Sequence, residues 1–222
     1  MHTTFTVESF ALGPIQTNAY LIVVKEEQSS AEQAAQAKER AIIIDPGMNP
    51  KALLQRIRDV EVEAILLTHA HFDHMGGLEE VRKAAGCPVY IHDLEADWLT
   101  DARKNGSMRW SDITPPIVAE PAEYALAEGQ KLQLLDHTFT VMHTPGHSPG
   151  SVSFLCGNHL FSGDVLFRMS VGRTDLPGGK ESDLYNSIQS KLYPLPETTI
   201  VYPGHGGRTT IGFEKANNPY VR

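Results

Sequence analysis

Cysteine is nearly absent: the chain has two, Cys87 and Cys156, in 222 residues. Two isolated cysteines build neither a disulfide framework nor a Cys-x-x-Cys zinc site, so they read as buried apolar thiols of a reducing compartment. An excess of basic residues is also missing. Lys and Arg number 19 against 27 Asp and Glu, a net charge of −8, which argues against a nucleic-acid backbone as the main partner. No basic N-terminal segment leads into an apolar core, so no signal peptide is expected. No apolar run approaches membrane-spanning length. What remains is a soluble, cytoplasmic protein, organised as a single domain over residues 1–222. Its residues say nothing about oligomeric state.

What is present is a strand-rich chain with a charged interruption. Thr3 to Ala11 and Asn18 to Val24 read as strands joined by a turn at Gly13-Pro14. Lys25 to Arg40 offers little to bury and reads as a solvated excursion between two strands. Ala41 to Ile44 is a strand ending in the turn Asp45-Pro46-Gly47. Asn49 should cap a helix with Pro50 at its first position. Ala64 to Leu67 is a short apolar strand, and Leu78, Val81 and Ala85 mark one face of a helix. Val89 to His92 completes a strand-helix-strand rhythm. Asp93 to Trp98 is a short helix, and 101–120 is a long loop. From Leu126 onward the runs are short, β-like and antiparallel. Ser182 to Leu192 is the last clear helix, Thr199 to Tyr202 the last strand, and the tail is polar. The two halves share a layout of strands followed by loops that carry His or Asp.

Between Leu67 and Leu78 lies His69-Ala70-His71-Phe72-Asp73-His74. Three histidines and one aspartate in six residues, on a strand-to-helix loop, offer the neutral imidazole and carboxylate donors that zinc and similar ions prefer. His69 and His71 can share one metal while Asp73 and His74 serve a second. Later strands also end in candidate ligands: His143 and His147 in His-Thr-Pro-Gly-His, Asp164 after Phe-Ser-Gly, and His205 after Pro-Gly. Each alone reads as a turn residue. With the first cluster, His147, Asp164 and His205 complete a set of five His and two Asp. That number suits two metal ions sharing one carboxylate and one solvent oxygen. Asp45, at the end of a buried strand, is either a turn former or a carboxylate that orients a ligating histidine. His2, His92, His137 and His159 have no ligand context and read as surface or packing residues.

This set, with Asn18-Ala19-Tyr20-Leu21, Asp45-Pro46-Gly47 and Gly172-Arg173-Thr174-Asp175, resembles the metallo-β-lactamase superfamily. Within it the chain looks like the short, single-domain glyoxalase II-like hydrolases. The resemblance implies a four-layered αβ/βα sandwich with the metals at one edge, between two sheets. It implies His69, His71 and His147 on one metal, Asp73, His74 and His205 on the other, and Asp164 bridging. His143 resembles a family position and is expected to support structure or a ligand rather than bind metal. The resemblance implies two divalent ions, zinc first, with iron or manganese as alternatives. True β-lactamases of the superfamily lack a bridging aspartate at the position of Asp164, which argues against antibiotic hydrolysis.

The implied reaction is cleavage of an acyl thioester, S-lactoylglutathione foremost, by a hydroxide held between the metals, with Asp73 taking its proton. Only seventeen residues follow His205, so the helical glutathione-binding domain of the longer glyoxalase II enzymes is not expected. Substrate binding should then be weak and permissive, with walls from 101–120 and 166–180. Arg168, Arg173 and Lys180 are candidate contacts for an acidic substrate, although Arg173 and Asp175 read better as an ion pair. Two alternatives share the ligand pattern: a persulfide dioxygenase, with one iron on residues matching His69, His147 and Asp164, and a lactonase.

Overall fold

Strand β2 (Thr17–Lys25) shows why the chain folds in layers. Every residue from Thr17 to Val24 is buried, and successive side chains enter different cores. Ala19, Leu21 and Val23 pack in one cluster, and Tyr20, Ile22 and Val24 pack in a second. A strand buried on both faces reads as an unbroken apolar run, and its period of two divides that run between two layers. The neighbouring β3 (Glu39–Ile44) does the same, with Ala41 and Ile43 on one side and Ile42 and Ile44 on the other.

The computed structural model describes residues 4–25 and 39–221. Most of the charged stretch between β2 and β3, and His2, lie outside the described residues. Six strands form the first sheet in chain order: β1 (Phe5–Leu12), β2, β3, β4 (Val60–Leu66), β5 (Val89–His92) and β6 (Tyr124–Leu126). The second sheet runs β14 (Thr209–Thr210), β13 (Ile200–Pro203), β10 (His159–Gly163), β9 (Val152–Cys156), β8 (His137–His143) and β7 (Lys131–Leu134). Two short strands, β11 (Leu166–Phe167) and β12 (Ser170–Val171), pair apart.

The first sheet's outer face is covered by helices α1 (Lys51–Arg56) and α3 (Leu78–Ala85), whose Leu53, Leu78 and Val81 share the first core. The inner faces meet in the second core around Phe139, Phe154 and Phe161. Helices α4 (Glu181–Ser187) and α5 (Ile211–Asn217) close the other side, where Leu184 and Ile211 pack with Leu160 and Val201. The order is helix, sheet, sheet, helix, the expected αβ/βα sandwich. Among the described residues no helix is long and apolar enough to cross a membrane.

Several expectations need correction. Asn49 does not cap α1 with its side chain; it takes a positive φ of 51°, and Pro50 occupies the cap position. Proline's fixed φ suits the start of the helix but leaves Asn49 to make the turn. Asp73 and His74 sit in a one-turn helix, α2 (Phe72–Met75), rather than in the loop. The second sheet is not wholly antiparallel, because β13 runs parallel to β10. The polar tail hides α5, which buries only Ile211 and Glu214 and is capped by the Thr210 hydroxyl. Both cysteines are buried, and burial pushes each thiol up to about 11.

The inter-sheet core should dominate stability. Phe154 is fully buried and pairs in register with Val141 and Phe161. Phe154→Ala should lower unfolding free energy by about 3–5 kcal/mol in urea titration of the metal-loaded protein. A loss under about 1 kcal/mol would contradict that packing role.

Candidate metal centre

The ligand-bearing segments meet at one end of the two sheets because each follows a strand. Parallel pairing of β3 with β4 sets Ile44 opposite Leu66, so Asp45, one residue on, and Thr68, two residues on, become neighbours. Asp45 adopts a left-handed φ of 52°, which aspartate tolerates in turns. One carboxylate oxygen, Oδ1, accepts from the Thr68 amide at 2.8 Å. The other, Oδ2, accepts from the Thr68 hydroxyl at 2.6 Å and from His74 Nδ1 at 2.9 Å. Having donated its proton to Asp45, the Thr68 oxygen accepts from His69 Nδ1 at 3.0 Å. Asp45 is therefore both turn former and orienting carboxylate. It fixes two imidazoles, one directly and one through Thr68, and leaves both Nε2 atoms pointing inward.

The remaining donors are set in the same way. His147 Nδ1 donates to the Arg173 carbonyl at 2.7 Å, which frees Nε2. That atom lies 2.8 Å from His71 Nδ1. Asp73 Oδ2 accepts from Thr17 Oγ1 at 2.7 Å. Asn18 Nδ2 donates to the Pro203 and Gly206 carbonyls, both at 2.9 Å, and steadies the turn that holds His205. Next to His205, Gly204 admits no side chain: a Cβ there would lie 2.0 Å from Asp164 Oδ1 and 2.7 Å from His74 Cε1.

Three donor groups result: His69, His71 and His147; Asp73, His74 and His205; and His69, His74 and Asp164, each with ligand atoms within 4.8 Å of one another. Asp164 faces both main triads. Its Oδ1 lies 3.3 Å from His74 Nε2, and its Oδ2 lies 3.6 Å from His147 Nε2 and 3.5 Å from His205 Nε2.

The side chains fit cations. His69 Nε2, His74 Nε2 and Asp164 Oδ1 are buried without a hydrogen-bond partner in the protein, and a buried polar atom left unpaired is costly. These three orphans belong to the same cluster. Imidazole nitrogen and carboxylate oxygen, with no thiolate, suit zinc, iron or manganese. Burial, joined by the neighbouring imidazoles, holds His69 well below its usual range, and burial with His147 holds His71 down to about 3. Both imidazoles are neutral at neutral pH, as a metal ligand must be. Burial also opposes charge on His74 and His205. The surrounding carboxylates outweigh it, raising His74 well above its usual range and His205 to about 9.

Glu95 was not singled out in the sequence. It is fully buried in the 3-10 turn Asp93–Trp98. Its Oε2 accepts from the Ala70 amide and its Oε1 from the Gly150 amide, both at 2.7 Å. One carboxylate thus ties the His69–His71 loop to the turn after His147. Burial still pushes its pKa up. A lone acidic residue in a short helix carries no sequence signal for this role. Thr17 and Thr68 carry no local signal either, because their partners lie 56 and 23 residues away in the chain.

His143 touches none of the seven candidate ligands. It binds the Pro149 carbonyl at 2.8 Å through Nε2 and stacks on His92 at 4.3 Å, closing the turn that presents His147. His137 and His159 pack on Phe5. A cleft of about 260 Å³ opens over the centre, lined by Asp73, His147, Asp164 and His205 together with the 103–113 loop, Arg173, Leu176 and Pro177. Arg168 and Lys180 do not line it. Arg168 lies over the Phe213 ring at 5.7 Å, beside a different cavity. Lys180 pairs with Asp183 at 2.9 Å because the start of α4 sets them three residues apart. Arg173 reaches the cleft and also pairs with Asp175 at 2.7 Å.

The family model for the metallo-beta-lactamase superfamily matches residues 12–205. The probable metallo-hydrolase YqgX of Bacillus subtilis is 40% identical over 95% of this chain and 94% of its own. The hydroxyacylglutathione hydrolase GloC of Haemophilus influenzae is 35% identical over 92% and 98%. Among solved structures, BLEG-1, a B3 metallo-beta-lactamase, is 45% identical with a TM-score of 0.85, over 97% of this chain and 99% of its own. TTHA1623 in a di-iron-bound form is 39% identical with a TM-score of 0.79, over 96% and 100%.

Two outcomes follow from the centre's electrostatics and its clamp. With His205 raised to about 9, its ring holds a proton at pH 7 that a metal must displace. Metal affinity should therefore rise as pH climbs from 7 through 9, with proton release on binding. Calorimetry in buffers of differing ionisation enthalpy measures this, and a buffer-independent heat would contradict it. Glu95→Gln replaces one accepting oxygen with a donor that faces an N–H. Metal affinity should fall about 10- to 100-fold with the fold retained, and unchanged affinity would remove the clamp role.

Proposed function

Because the chain belongs to the metallo-β-lactamase superfamily, we propose that it is a dinuclear metal-dependent hydrolase of acyl thioesters, with S-lactoylglutathione as the expected substrate. The observation that carries this reading is Asp164, whose two oxygens face histidines of both triads. In this reading His69, His71 and His147 hold one ion, Asp73, His74 and His205 hold the second, and Asp164 spans them. Zinc is the expected ion, with iron or manganese as alternatives, and the di-iron form of TTHA1623 supports iron as well as a count of two. The likeness to GloC, a hydroxyacylglutathione hydrolase, supports the thioester class.

Divalent cations at this site supply Lewis acidity, lowering the pKa of water and polarising a carbonyl. The chain's own residues do the rest. Thr17 donates to Asp73 Oδ2 at 2.7 Å and fixes the carboxylate, leaving Oδ1 to take a proton as attack proceeds. Asp73 is almost fully buried, and although burial opposes ionisation, the charges of His74 and His205 hold it down to about 2. It is therefore ionised at neutral pH and can act as acceptor. The orienting contacts from Asp45, Thr68 and the Arg173 carbonyl keep the imidazoles from rotating, so the centre is preorganised before substrate arrives. Apolar walls from Trp110, Ile113 and Leu176 shed water around the reacting bond.

The likeness to BLEG-1 favours a second reading, β-lactam hydrolysis, against the expectation drawn from Asp164. Steady-state assays of the metal-loaded chain separate the two. S-lactoylglutathione should be cleaved and a cephalosporin should not. Asp164→Ala should lower kcat/KM by more than about a hundredfold, beyond the loss typical of an outer partner, while circular dichroism stays native. Unchanged turnover in that variant would refute the spanning role. Cleavage of the cephalosporin alone would favour the lactamase reading. Oxygen uptake with glutathione persulfide and no thioester cleavage would favour the dioxygenase.

A further inference from the structure

One loop brings a cluster of cations to the mouth of the metal cleft in a chain whose net charge is −8. Arg103, Lys104 and Arg109 line the cleft from residues 103–113, and Arg173 lines it from a separate segment. Three of the four have carboxylate partners: Arg103 with Asp101 at 3.2 Å, Lys104 with Asp97, and Arg173 with Asp175 at 2.7 Å. Arg109 makes no ion pair among the described residues. Asp175 is engaged chiefly by Arg173, with Arg109 the weakest contributor, so Arg109 keeps no close carboxylate partner among the described residues.

The loop is anchored rather than free. Asn105 is fully buried. Its carbonyl accepts from the Phe72 amide at 3.0 Å, and its side chain donates to the Ile117 carbonyl at 2.9 Å. Phe72 lies between His71 and Asp73, so the loop is tied to the metal-binding helix itself. Trp110 follows Arg109, sits 6.5 Å from the Phe72 ring and lines the same cleft. A planar guanidinium without an ion-pair partner among the described residues, in a cleft that also carries an indole, is suited to a carboxylate on an extended, partly apolar arm.

We infer that Arg109, with Trp110 in the same cleft and aided by Arg173, binds a carboxylate carried by the substrate, so that the enzyme selects acyl thioesters with an anionic arm. This rests on the thioester reading and deepens it. The anion can belong to the thiol arm or to the acyl arm, because the same chemistry recognises both.

Two substrate pairs test it on the metal-loaded enzyme: S-lactoylglutathione against its diethyl ester, and succinyl against propionyl thioesters of N-acetylcysteamine. In Arg109→Ala the ratio of kcat/KM, carboxylate over neutral, should fall about fivefold in one pair, as expected for a solvent-accessible charge contact. The affected pair identifies the arm. Arg109→Lys should restore part of the ratio, and Arg168→Ala, away from the cleft, should leave it as in wild type. Ratios unchanged by Arg109→Ala in both pairs would overturn the inference. A binding arm is independent of turnover. The chain has two tryptophans, so in Trp98→Phe the fluorescence reports Trp110. S-hexylglutathione should quench it saturably, its diethyl ester should do so more weakly, and Arg109→Ala should abolish the difference. If no thioester is cleaved yet this discrimination holds, the hydrolase reading fails and the anion subsite stands. Equal quenching by acid and ester, with the succinyl-to-propionyl ratio also unchanged by Arg109→Ala, would overturn the subsite.

Discussion

The Asp45 carboxylate is the contact on which the site depends. It is buried, it stands at the end of a strand interior to the sheet, and its three hydrogen bonds run to Thr68 and His74. Through them it decides which nitrogen of two imidazoles faces the centre. A histidine free to choose its tautomer presents a proton as readily as a lone pair. The parallel register of β3 and β4 makes the contact possible, and that register follows from apolar side chains alternating between two cores. Packing, register, tautomer and ligand geometry form one causal chain.

Carrying seven imidazole and carboxylate groups in one buried cluster has a cost that the rest of the fold must offset. Like charges repel, and unpaired polar atoms lose hydration without replacement. The protein meets part of this internally: nearby carboxylates raise the pKa values of His74 and His205 against their burial, while burial lowers those of His69 and His71. Three buried atoms of the cluster still lack a hydrogen-bond partner in the protein, and bound cations would satisfy them. Glu95 plays the complementary part from outside the cluster, fastening two ligand loops that β4 and β8 deliver separately.

Much of this was legible before the structure. The ligand motif announces itself because imidazole and carboxylate at tight spacing on a strand-to-helix loop have few other uses. The sandwich was legible only through the resemblance that these motifs carry, and the apolar run Ala19 to Val24 agrees with it because the folded strand is buried on both faces. Asp45 was visible as a polar residue ending such a strand, but its partner was not, because only register brings His74 to it. Glu95, Thr17 and Thr68 were illegible: their roles arise from contacts across 25, 56 and 23 residues of chain and leave no local pattern. Arg168 and Lys180 show the opposite failure. They had the right charge in the right segments, but the turns around them aim one at Phe213 and the other at Asp183. The loop that contributes Arg109 and Trp110 was read as a wall, without the residue that gives it charge.

Scaffold and selectivity are thus separable. The sheets and their strand ends position the candidate metal centre, while the 103–113 loop and Arg173 line the cleft above it. The most direct test of the central claim is anomalous diffraction at the metal edge from crystals of the metal-loaded protein. The account predicts two peaks per chain, one among His69, His71 and His147 and one among Asp73, His74 and His205, with Asp164 touching both. A single peak at full occupancy, with Asp73 and His205 free of metal, would contradict it.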